Sequence, residues 1–442
     1  MYKNPSPVSS EHPTPDPRGR DTAPVRRSRL GRFGVLPRLA GSSFLVIGFF
    51  ARLPLAMLTV GALTLVTTAS GSYAAGGFAA GAVGLGSALG APLLGFLADR
   101  LGQRSVLLVS AVLNTLGIAA LVVVTLLTED FSSGALAVVL VSAFAMGFTC
   151  PQIGPLARVR WMAMTRRRPR TVLDTALSYE GTADELTFVL GPALVGLLAS
   201  LIAPWLPLAV AAVLTITLVS AFAVHPTVLH SDARSSPSHD DDTDDPEVSS
   251  AASRRVRTVF VLLPVAGMLA MGTFFGSTQT FLTAFLGQFD AAESAGLVYA
   301  TLALSSAFAA LSVAYWPERF AHTRRWIVSA VGMTAAASAL ALPGGIIGMM
   351  VVLFVLGIFV GPTMVTIFSI GSVVAPPTGL GTVMTMLASG IVAGTALGAG
   401  LAGALAETSG AAAASIVPLG AAAALLLLGG VAAVALRKVS RD

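Results

Sequence analysis

The sequence predicts an all-α membrane protein of about twelve transmembrane helices, divided into two bundles of six, with both termini in the cytoplasm. Only 11% of the residues are charged and 55% are hydrophobic, whereas roughly a quarter of the residues in a soluble protein are charged. Apolar runs of about 20 residues, long enough to cross the hydrocarbon core of a bilayer, repeat along the chain. Basic residues collect in alternate loops between these runs.

Residues 1–40 are rich in Pro, Arg and Ser and show no apolar period, so they are predicted to form a disordered cytoplasmic tail. Residues 41–226 are expected to form the N-terminal six-helix bundle. Its apolar runs cover approximately 42–66, 73–98, 104–128, 134–157, 173–201 and 205–226.

Residues 227–257 interrupt the apolar pattern and contain five aspartates between 240 and 245. This segment is too polar to fold alone and is predicted to be a disordered acidic cytoplasmic linker. Residues 258–436 are expected to form the C-terminal bundle, and 437–442 a cytoplasmic tail. The apolar runs of this half cover approximately 258–286, 292–316, 325–342, 344–374, 381–406 and 412–436.

The distribution of Lys and Arg determines the predicted orientation. With the N-terminus inside, the outward turns near 67–72, 129–133, 202–204, 287–291, 343–345 and 407–411 contain neither Lys nor Arg. The basic clusters fall in predicted inward loops, which hold Arg100 and Arg104, Arg158 to Arg170, Arg254, Arg255 and Arg257, Arg319, Arg324 and Arg325, and Arg437 with Lys438. Cytoplasmic loops carry an excess of these residues. An odd number of spans would place some of the basic clusters outside, so an even count with both termini inside is expected.

Several classes of function are excluded by the composition. Cys150 is the single cysteine, so disulfides and thiolate metal clusters are not expected. The two lysines, Lys3 and Lys438, lie near the termini, which excludes a phosphate-binding G-x-x-x-x-G-K-[ST] loop. Histidines are scattered, and the basic residues mark the ends of apolar runs. We therefore expect no cofactor, no metal and no nucleic-acid partner.

Four charged residues are predicted to lie inside the membrane. Arg52 lies about 15 Å into the first span, and Glu180, Asp184 and Glu185 lie about 10–18 Å into the fifth. Glu180 and Asp184 share one helix face at a spacing of four residues. Because an unpaired charge at this depth is costly, Arg52 is predicted to pair with the acidic residues. Asp174, at the beginning of the fifth span, is expected to lie at the membrane–water interface.

One arginine against three carboxyls implies that at least one carboxyl holds a proton in some state. A carboxyl whose protonation depends on which side the protein faces is what proton coupling requires. The alternative is a static salt bridge, with the remaining carboxyls hydrated in a cavity. The sequence leaves these two interpretations at even weight.

The segment from Gly95 to Arg104 (GFLADRLGQR) lies between the second and third spans. It resembles the loop signature G-x-L-a-D-R-x-G-r-R of the major facilitator superfamily, at the position that this family requires. The resemblance implies two pseudo-symmetric six-helix bundles and a conformational latch formed by this loop; its matching residues are Gly95, Asp99, Arg100, Gly102 and Arg104. A degenerate copy, Pro317-Glu318-Arg319 followed by His322, Arg324 and Arg325, begins the corresponding loop of the second half.

The fifth span contains Gly191, Pro192 and Gly196, which resemble the G-P-x-x-G core of a helix motif associated with antiporters in this family. The match is partial because the upstream glycine is missing. The stretches 178–188, 52–54 and 151–161 look like those of an exporter-like subgroup common in actinobacteria. The fourth span lacks the arginine of many proton-coupled drug exporters, so that proton route is not carried over.

Uncharged polar residues are weaker candidates for the substrate cavity. Asn114, Gln152 and Gln279 are polar residues in predicted spans, and the resemblance favours Gln279 because the seventh helix borders the pathway in this family. For each of them a helix–helix hydrogen bond is the more common role.

The resulting prediction is a secondary transporter of the cell membrane, not an enzyme, that exports a small amphiphilic molecule in exchange for protons by alternating access. The alternatives are proton-coupled uptake, a membrane-embedded enzyme, and a non-transporting sensor or scaffold. The outward turns are too short to hold a catalytic domain, and the polar segments are too short to hold a soluble module. The expected partners are a small-molecule substrate, protons and the lipid bilayer, and a monomer is expected.

Overall fold

The computed structural model describes residues 31–229, 251–291, 294–317, 319–376 and 378–439, and every regular element within them is a helix. Ten α-helices belong to the N-terminal half of the chain. They are α1 (Val35–Ala40), α2 (Ser42–Phe50), α3 (Leu53–Ser70), α4 (Tyr73–Leu101), α5 (Gln103–Leu127), α6 (Ser133–Phe148), α7 (Ile153–Thr165), α8 (Arg170–Leu201), α9 (Leu206–Leu214) and α10 (Ser220–Val224). A 3₁₀ turn precedes α1, and a π-helical turn joins α9 to α10.

Six α-helices belong to the C-terminal half. They are α11 (Ala251–Gly287), α12 (Ala295–Ser312), α13 (His322–Ala337), α14 (Ile346–Val374), α15 (Leu380–Ala414) and α16 (Ile416–Val439). A 3₁₀ turn over Val313–Tyr315 extends α12, and Gly410 interrupts α15 with a φ of 82°.

The described residues contain 11 segments that are long and apolar enough to cross a membrane, each in the region of a predicted span. The predicted ninth span, 325–342, has no such segment among the described residues. It corresponds to α13, which has only 16 residues and ends before the Pro343-Gly344-Gly345 break. The chain is thus a multi-pass helical membrane protein, and the count of twelve stays a prediction.

The boundaries of the two predicted disordered segments differ in the structure. Residues 31–40 form the first 3₁₀ turn and α1, and Leu36 and Ala40 are buried against the N-terminal half. Residues 251–257 are the beginning of α11. Residues 227–229, the start of the predicted linker, pack against the N-terminal half, where Thr227 accepts a hydrogen bond from Arg160. The remainder of the predicted tail and linker, 1–30 and 230–250, lies outside the described residues.

Two spans are broken in the middle, and proline explains both breaks. Pro54 lies at the second position of α3, where its ring would clash with the carbonyl group four residues earlier in a continuous helix. The first span therefore divides into α2 and α3, with Arg52 at the junction. Pro151 similarly separates α6 from α7, and the fourth span then continues to Thr165.

The two halves meet at one end of the bundle. The main contacts are α4 with α15, α8 with α12, α7 with α15 and α8 with α14. These contacts lie toward the loops that follow α4, α7, α12 and α14, which include the arginine-rich loops. We call this end the basic side and the other end the opposite side.

Candidate functional site

A buried cluster of charged side chains lies where α3, α7 and α8 meet. Arg52 donates through Nη2 to Glu180 Oε2, and its Nε lies 3.6 Å from Asp184 Oδ1. The indole Nε1 of Trp161 donates to the second oxygen of Glu180 at 2.6 Å. The predicted pairing of Arg52 with the acidic residues of the fifth span is confirmed.

Arg158 was predicted to lie in an inward loop. The structure buries it in α7, with 1% of its surface exposed, and its Nη2 donates to Asp184 Oδ2 at 2.7 Å. The signal that was available is Pro151, because a helix restarted after this proline carries the fourth span beyond residue 157. The cluster therefore contains two arginines and three carboxyls, whereas the sequence predicted one arginine and three carboxyls.

Arg160, two residues further along α7, is also fully buried, and it was likewise assigned to a loop. It donates to Gln103 Oε1, the carbonyl oxygen of Phe222 and Thr227 Oγ1 at 2.8–3.1 Å. Its guanidinium lies 4.0 Å from the centre of the Phe222 ring. These contacts join α5, α7 and the end of α10, which indicates a role in holding the N-terminal half together.

Glu185 reaches across to the C-terminal half. Ser306 of α12 donates through its hydroxyl to Glu185 Oε1 at 2.9 Å, and Thr182 donates to the carbonyl oxygen of Ala307 at 3.1 Å. Glu185 is 5% exposed, and among the described residues no basic side chain lies within salt-bridge distance of it. The third carboxyl thus lies at the contact between the halves.

Asp99, in the loop signature, also contacts the opposite half. Its two carboxylate oxygens accept hydrogen bonds from the backbone N–H groups of Gly381 and Thr382 and from the Thr382 hydroxyl, at 2.7–2.8 Å. These groups form the first turn of α15, whose unpaired N–H groups and positive dipole end favour a carboxylate. Asp99 therefore joins the two halves, and the latch role that the resemblance implies for it stays a prediction.

The other signature residues support this contact or lie beside it. A methyl group at Gly95 would collide with Thr385 and with the backbone of Gly381, so glycine permits the close approach of α4 to α15. Gly102 has a φ of 84° at the turn into α5. The exposed Arg100 lies over the Phe96 ring of its own helix, and Arg104 is exposed.

The degenerate copy of the signature in the second half makes a different contact. Arg325 donates to the carbonyl oxygens of Phe320 and Pro317 and lies 3.7 Å from Asp174 Oδ2. Asp174 is 7% exposed and is buried at this contact between the halves. Its expected depth at the membrane interface stays a prediction. Glu318, the acidic residue of the copy, lies outside the described residues.

His322 begins α13 beside this ion pair. Burial, followed by the positive charges of Arg170 and Arg325, lowers the pKa of His322 to about 4. Its imidazole is therefore neutral at pH 7, where a third positive charge between the halves would be unfavourable.

The antiporter-like motif of α8 lies against the first span. A methyl group at Gly191 would lie 2.5 Å from Ala56 Cβ and 2.9 Å from its carbonyl carbon, whereas one at Gly196 would meet nothing within 4 Å. Pro192 is accommodated inside the helix. Gly191 is thus the member of the motif that determines how closely α8 packs against α3.

Two of the three uncharged candidates for the cavity have packing partners instead. Asn114 is buried and donates to the carbonyl oxygen of Met146 at 2.6 Å, which joins α5 to α6. Gln152, 2% exposed, donates to the carbonyl oxygen of Cys150 at the break between α6 and α7. Gln279 is exposed on α11.

No group of three or more His, Cys, Asp or Glu side chains in the described part of the chain is arranged to hold a metal ion. The carboxyls of the buried cluster instead receive arginine, tryptophan and serine donors.

Comparison with solved structures identifies similar folds. The human organic anion transporter TETRAN is 19% identical, with 90% of this chain and 99% of that chain covered and a TM-score of 0.61. The fucose:proton symporter of E. coli is 15% identical, with 88% and 99% covered and a TM-score of 0.60. A bacterial homologue of the iron transporter ferroportin, in an outward-facing state, is 16% identical, with 89% and 98% covered and a TM-score of 0.66.

At these identities the likeness shows the fold alone. No curated protein matches the chain. The family model described as Major Facilitator Superfamily matches residues 44–388, which include the loop signature, the buried charge cluster and most of both halves. The chain therefore belongs to the Major Facilitator Superfamily and is a membrane transporter, not an enzyme.

Proposed function

We propose that the chain exports a small amphiphilic molecule in exchange for protons, and that Asp184 is the carboxyl that exchanges the proton. The observation that carries this proposal is the different exposure of the paired carboxyls. The Asp184 side chain is 17% exposed, whereas that of Glu180 is 1% exposed. A proton-exchanging group must reach water in at least one state, and Asp184 meets this requirement.

The hydrogen-bond partners also separate these carboxyls. Glu180 receives Arg52 on one oxygen and Trp161 on the other, so both oxygens are occupied by buried donors. Asp184 has Arg158 at 2.7 Å and the more distant Arg52 Nε at 3.6 Å. Charge-assisted hydrogen bonds are the strong ones, so Glu180 is suited to hold Arg52 permanently. Asp184 is better placed to exchange a proton.

Alternating access requires contacts between the halves that can break. Among the described residues, the hydrogen bonds and ion pairs that join the halves lie between the basic side and the depth of Glu185. This arrangement supports a state that is closed at the basic side. Glu185 would then lose its Ser306 partner when that side opens, which makes it a second carboxyl whose surroundings change with the state.

The direction of transport rests on the α8 motif, whose Gly191 and Pro192 resemble an antiporter pattern and lie against α3. A proton moving inward on Asp184 would drive substrate outward on the return step. Positive charge on the inward loops supports the basic side as the cytoplasmic one.

The test uses inside-out vesicles with an acidic interior, challenged with a library of amphiphilic compounds. We expect a hit to collapse the pH gradient with the wild-type chain and not with Asp184→Asn, while counterflow of the radiolabelled hit persists. Asp130→Asn, an exposed carboxyl beyond α5, is the matched control and should behave as wild type. Proton movement that survives in Asp184→Asn would contradict the assignment, and loss of a preloaded compound from the lumen together with protons would identify uptake.

A further inference from the structure

We propose that Arg158 is the positioning residue that couples the charge of Asp184 to closure of the basic side, through its contact with Phe368 of the opposite half. The proposal gives a mechanical consequence to proton binding. It rests on the assignment of Asp184 as the proton-exchanging carboxyl, but its test requires neither a substrate nor a proton gradient.

Arg158 contacts a carboxylate of its own half and an aromatic ring of the opposite half. One face of its guanidinium lies over the Phe368 ring of α14, with Cζ 3.8 Å from the ring centre. Its Nη2 donates to Asp184 in its own half. A cation over an aromatic face is attracted by the ring quadrupole, and more strongly when both groups are removed from water. Closure at this point therefore depends on the position of one guanidinium.

Asp184 is the only carboxylate within salt-bridge distance of Arg158 among the described residues. Glu180 is occupied by Arg52 and Trp161, and it cannot replace Asp184 without leaving Arg52 unpaired. The Nε and Nη1 atoms of Arg158 are buried and have no hydrogen-bond partner. The ion pair with Asp184 is thus the main compensation for burying this charge.

Neutralising Asp184 removes that compensation. An arginine left buried without its counter-charge is strongly destabilising, and the effect is relieved if water reaches the guanidinium. Opening the basic side separates α7 from α14 and admits that water. A proton arriving at Asp184 from the opposite side would therefore shift the protein toward the state that is open at the basic side.

The surroundings of Asp184 contain further charged and titratable groups that act on its charge. Those facing it are Arg52 from the junction of α2 and α3, Arg158 from α7, and Tyr179, Glu180 and Glu185 from α8. His322 lies at another contact between the halves and also responds to pH. For this reason the test changes the charge by substitution at pH 7.5 and does not titrate the protein.

Spin labels at Ser105→Cys and Thr378→Cys, two exposed basic-side positions on different halves, report closure by electron–electron distance measurement in a Cys150→Ser background. Asp184→Asn should reduce the ratio of closed to open molecules by about tenfold or more. The double variant Asp184→Asn/Arg158→Gln should recover most of this loss, because no unpaired cation remains. It should stay about two- to fivefold below wild type, because the cation–π contact with Phe368 is lost.

Phe368→Leu provides a milder test that keeps the apolar volume. It should lower the closed-to-open ratio by about two- to fivefold, whereas Phe359→Leu on the same helix should not, since that ring lies against Gly332 within its own half. Monodisperse elution in detergent checks the fold of each variant. The proposal is overturned if Asp184→Asn stays closed, or if it opens and Arg158→Gln does not restore closure.

The two proposals fail in different ways. If the double variant restores closure but wild-type vesicles show no proton movement with any transported compound, the proton assignment fails and the Arg158 coupling stands. If proton movement depends on Asp184 but closure does not respond to Arg158, the coupling proposal fails alone.

Discussion

At the scale of single residues, neighbouring side chains give each carboxyl of α8 a different environment. Glu180, Asp184 and Glu185 lie within six positions of one helix. Glu180 accepts hydrogen bonds from an arginine and an indole, and Asp184 lies within salt-bridge distance of two arginines. Glu185 accepts a hydrogen bond from a serine of the other half. Since the carboxyl groups are chemically alike, their different roles must come from these partners.

The indole of Trp161 is expected to stabilise the cluster. Trp161→Phe removes the N–H donor of Glu180, and a hydrogen bond to a charged group contributes about 1.5–3 kcal/mol. Trp326→Phe is the matched control, because Trp326 is equally buried and its Nε1 has no hydrogen-bond partner. Thermal unfolding in detergent should show the larger loss of stability for Trp161→Phe. Equal losses would mean that only ring volume matters.

His322 should make stability depend on pH in the acidic range. Burial and the two nearby arginines lower its pKa from 6.5 to about 4, so between these values the folded protein holds fewer protons at this residue than the unfolded chain. The stability contributed by neutral His322 is therefore complete above pH 6.5 and is lost as the pH falls toward 4. Melting temperatures of wild type and His322→Gln should diverge across this window, and parallel profiles would contradict the prediction.

The sequence was sufficient to pair Arg52 with the acidic residues because depth along a helix follows from position. Arg158 could not be found in the same way, since the apolar run of the fourth span ends at 157 and the arginines that follow fit the pattern of an inward loop. Its burial depends on the restart of the helix after Pro151 and on the ring of Phe368, which is 210 positions away. Contacts between distant segments are not encoded in local periodicity.

At the scale of helices, two glycines of the α8 motif have different surroundings, which gives an internal comparison. Gly191→Ala would place a methyl group against the Ala56 backbone and push α8 away from α3, an overpacking that costs about 1–3 kcal/mol. Gly196→Ala meets open space and should gain up to about 1 kcal/mol from helix propensity. Melting temperatures of the two variants in detergent should therefore move in opposite directions.

The N-terminus of α15 shows how a helix end can hold two halves together. Asp99 satisfies N–H groups that α15 cannot pair internally, and Gly95 and Gly381 allow the two backbones to approach. The signature loop could be located from sequence because its pattern is local. Its partner could not, because nothing in residues 380–385 indicates which carboxylate would bind there.

At the scale of the whole molecule, the contacts between halves define a state that sequence cannot specify. A transporter must be stable in two arrangements, so its sequence encodes both, while the structure shows one. In this arrangement, Asp99, Asp174, Glu185 and Arg158 each contact the C-terminal half toward the basic side. Each of these contacts must be exchanged for water or another partner when that side opens.

The orientation of this arrangement can be tested directly. Because Lys and Arg are absent from the turns of the opposite side and abundant on the basic side, the basic side should face the cytoplasm. In a Cys150→Ser background, Ser132→Cys on the opposite side should react with a membrane-impermeant maleimide in intact cells. Ser105→Cys on the basic side should react only after permeabilisation; both positions are exposed in the structure. The reverse pattern would place the arginine-rich loops outside, and proton entry toward Asp184 would then begin from the cytoplasm.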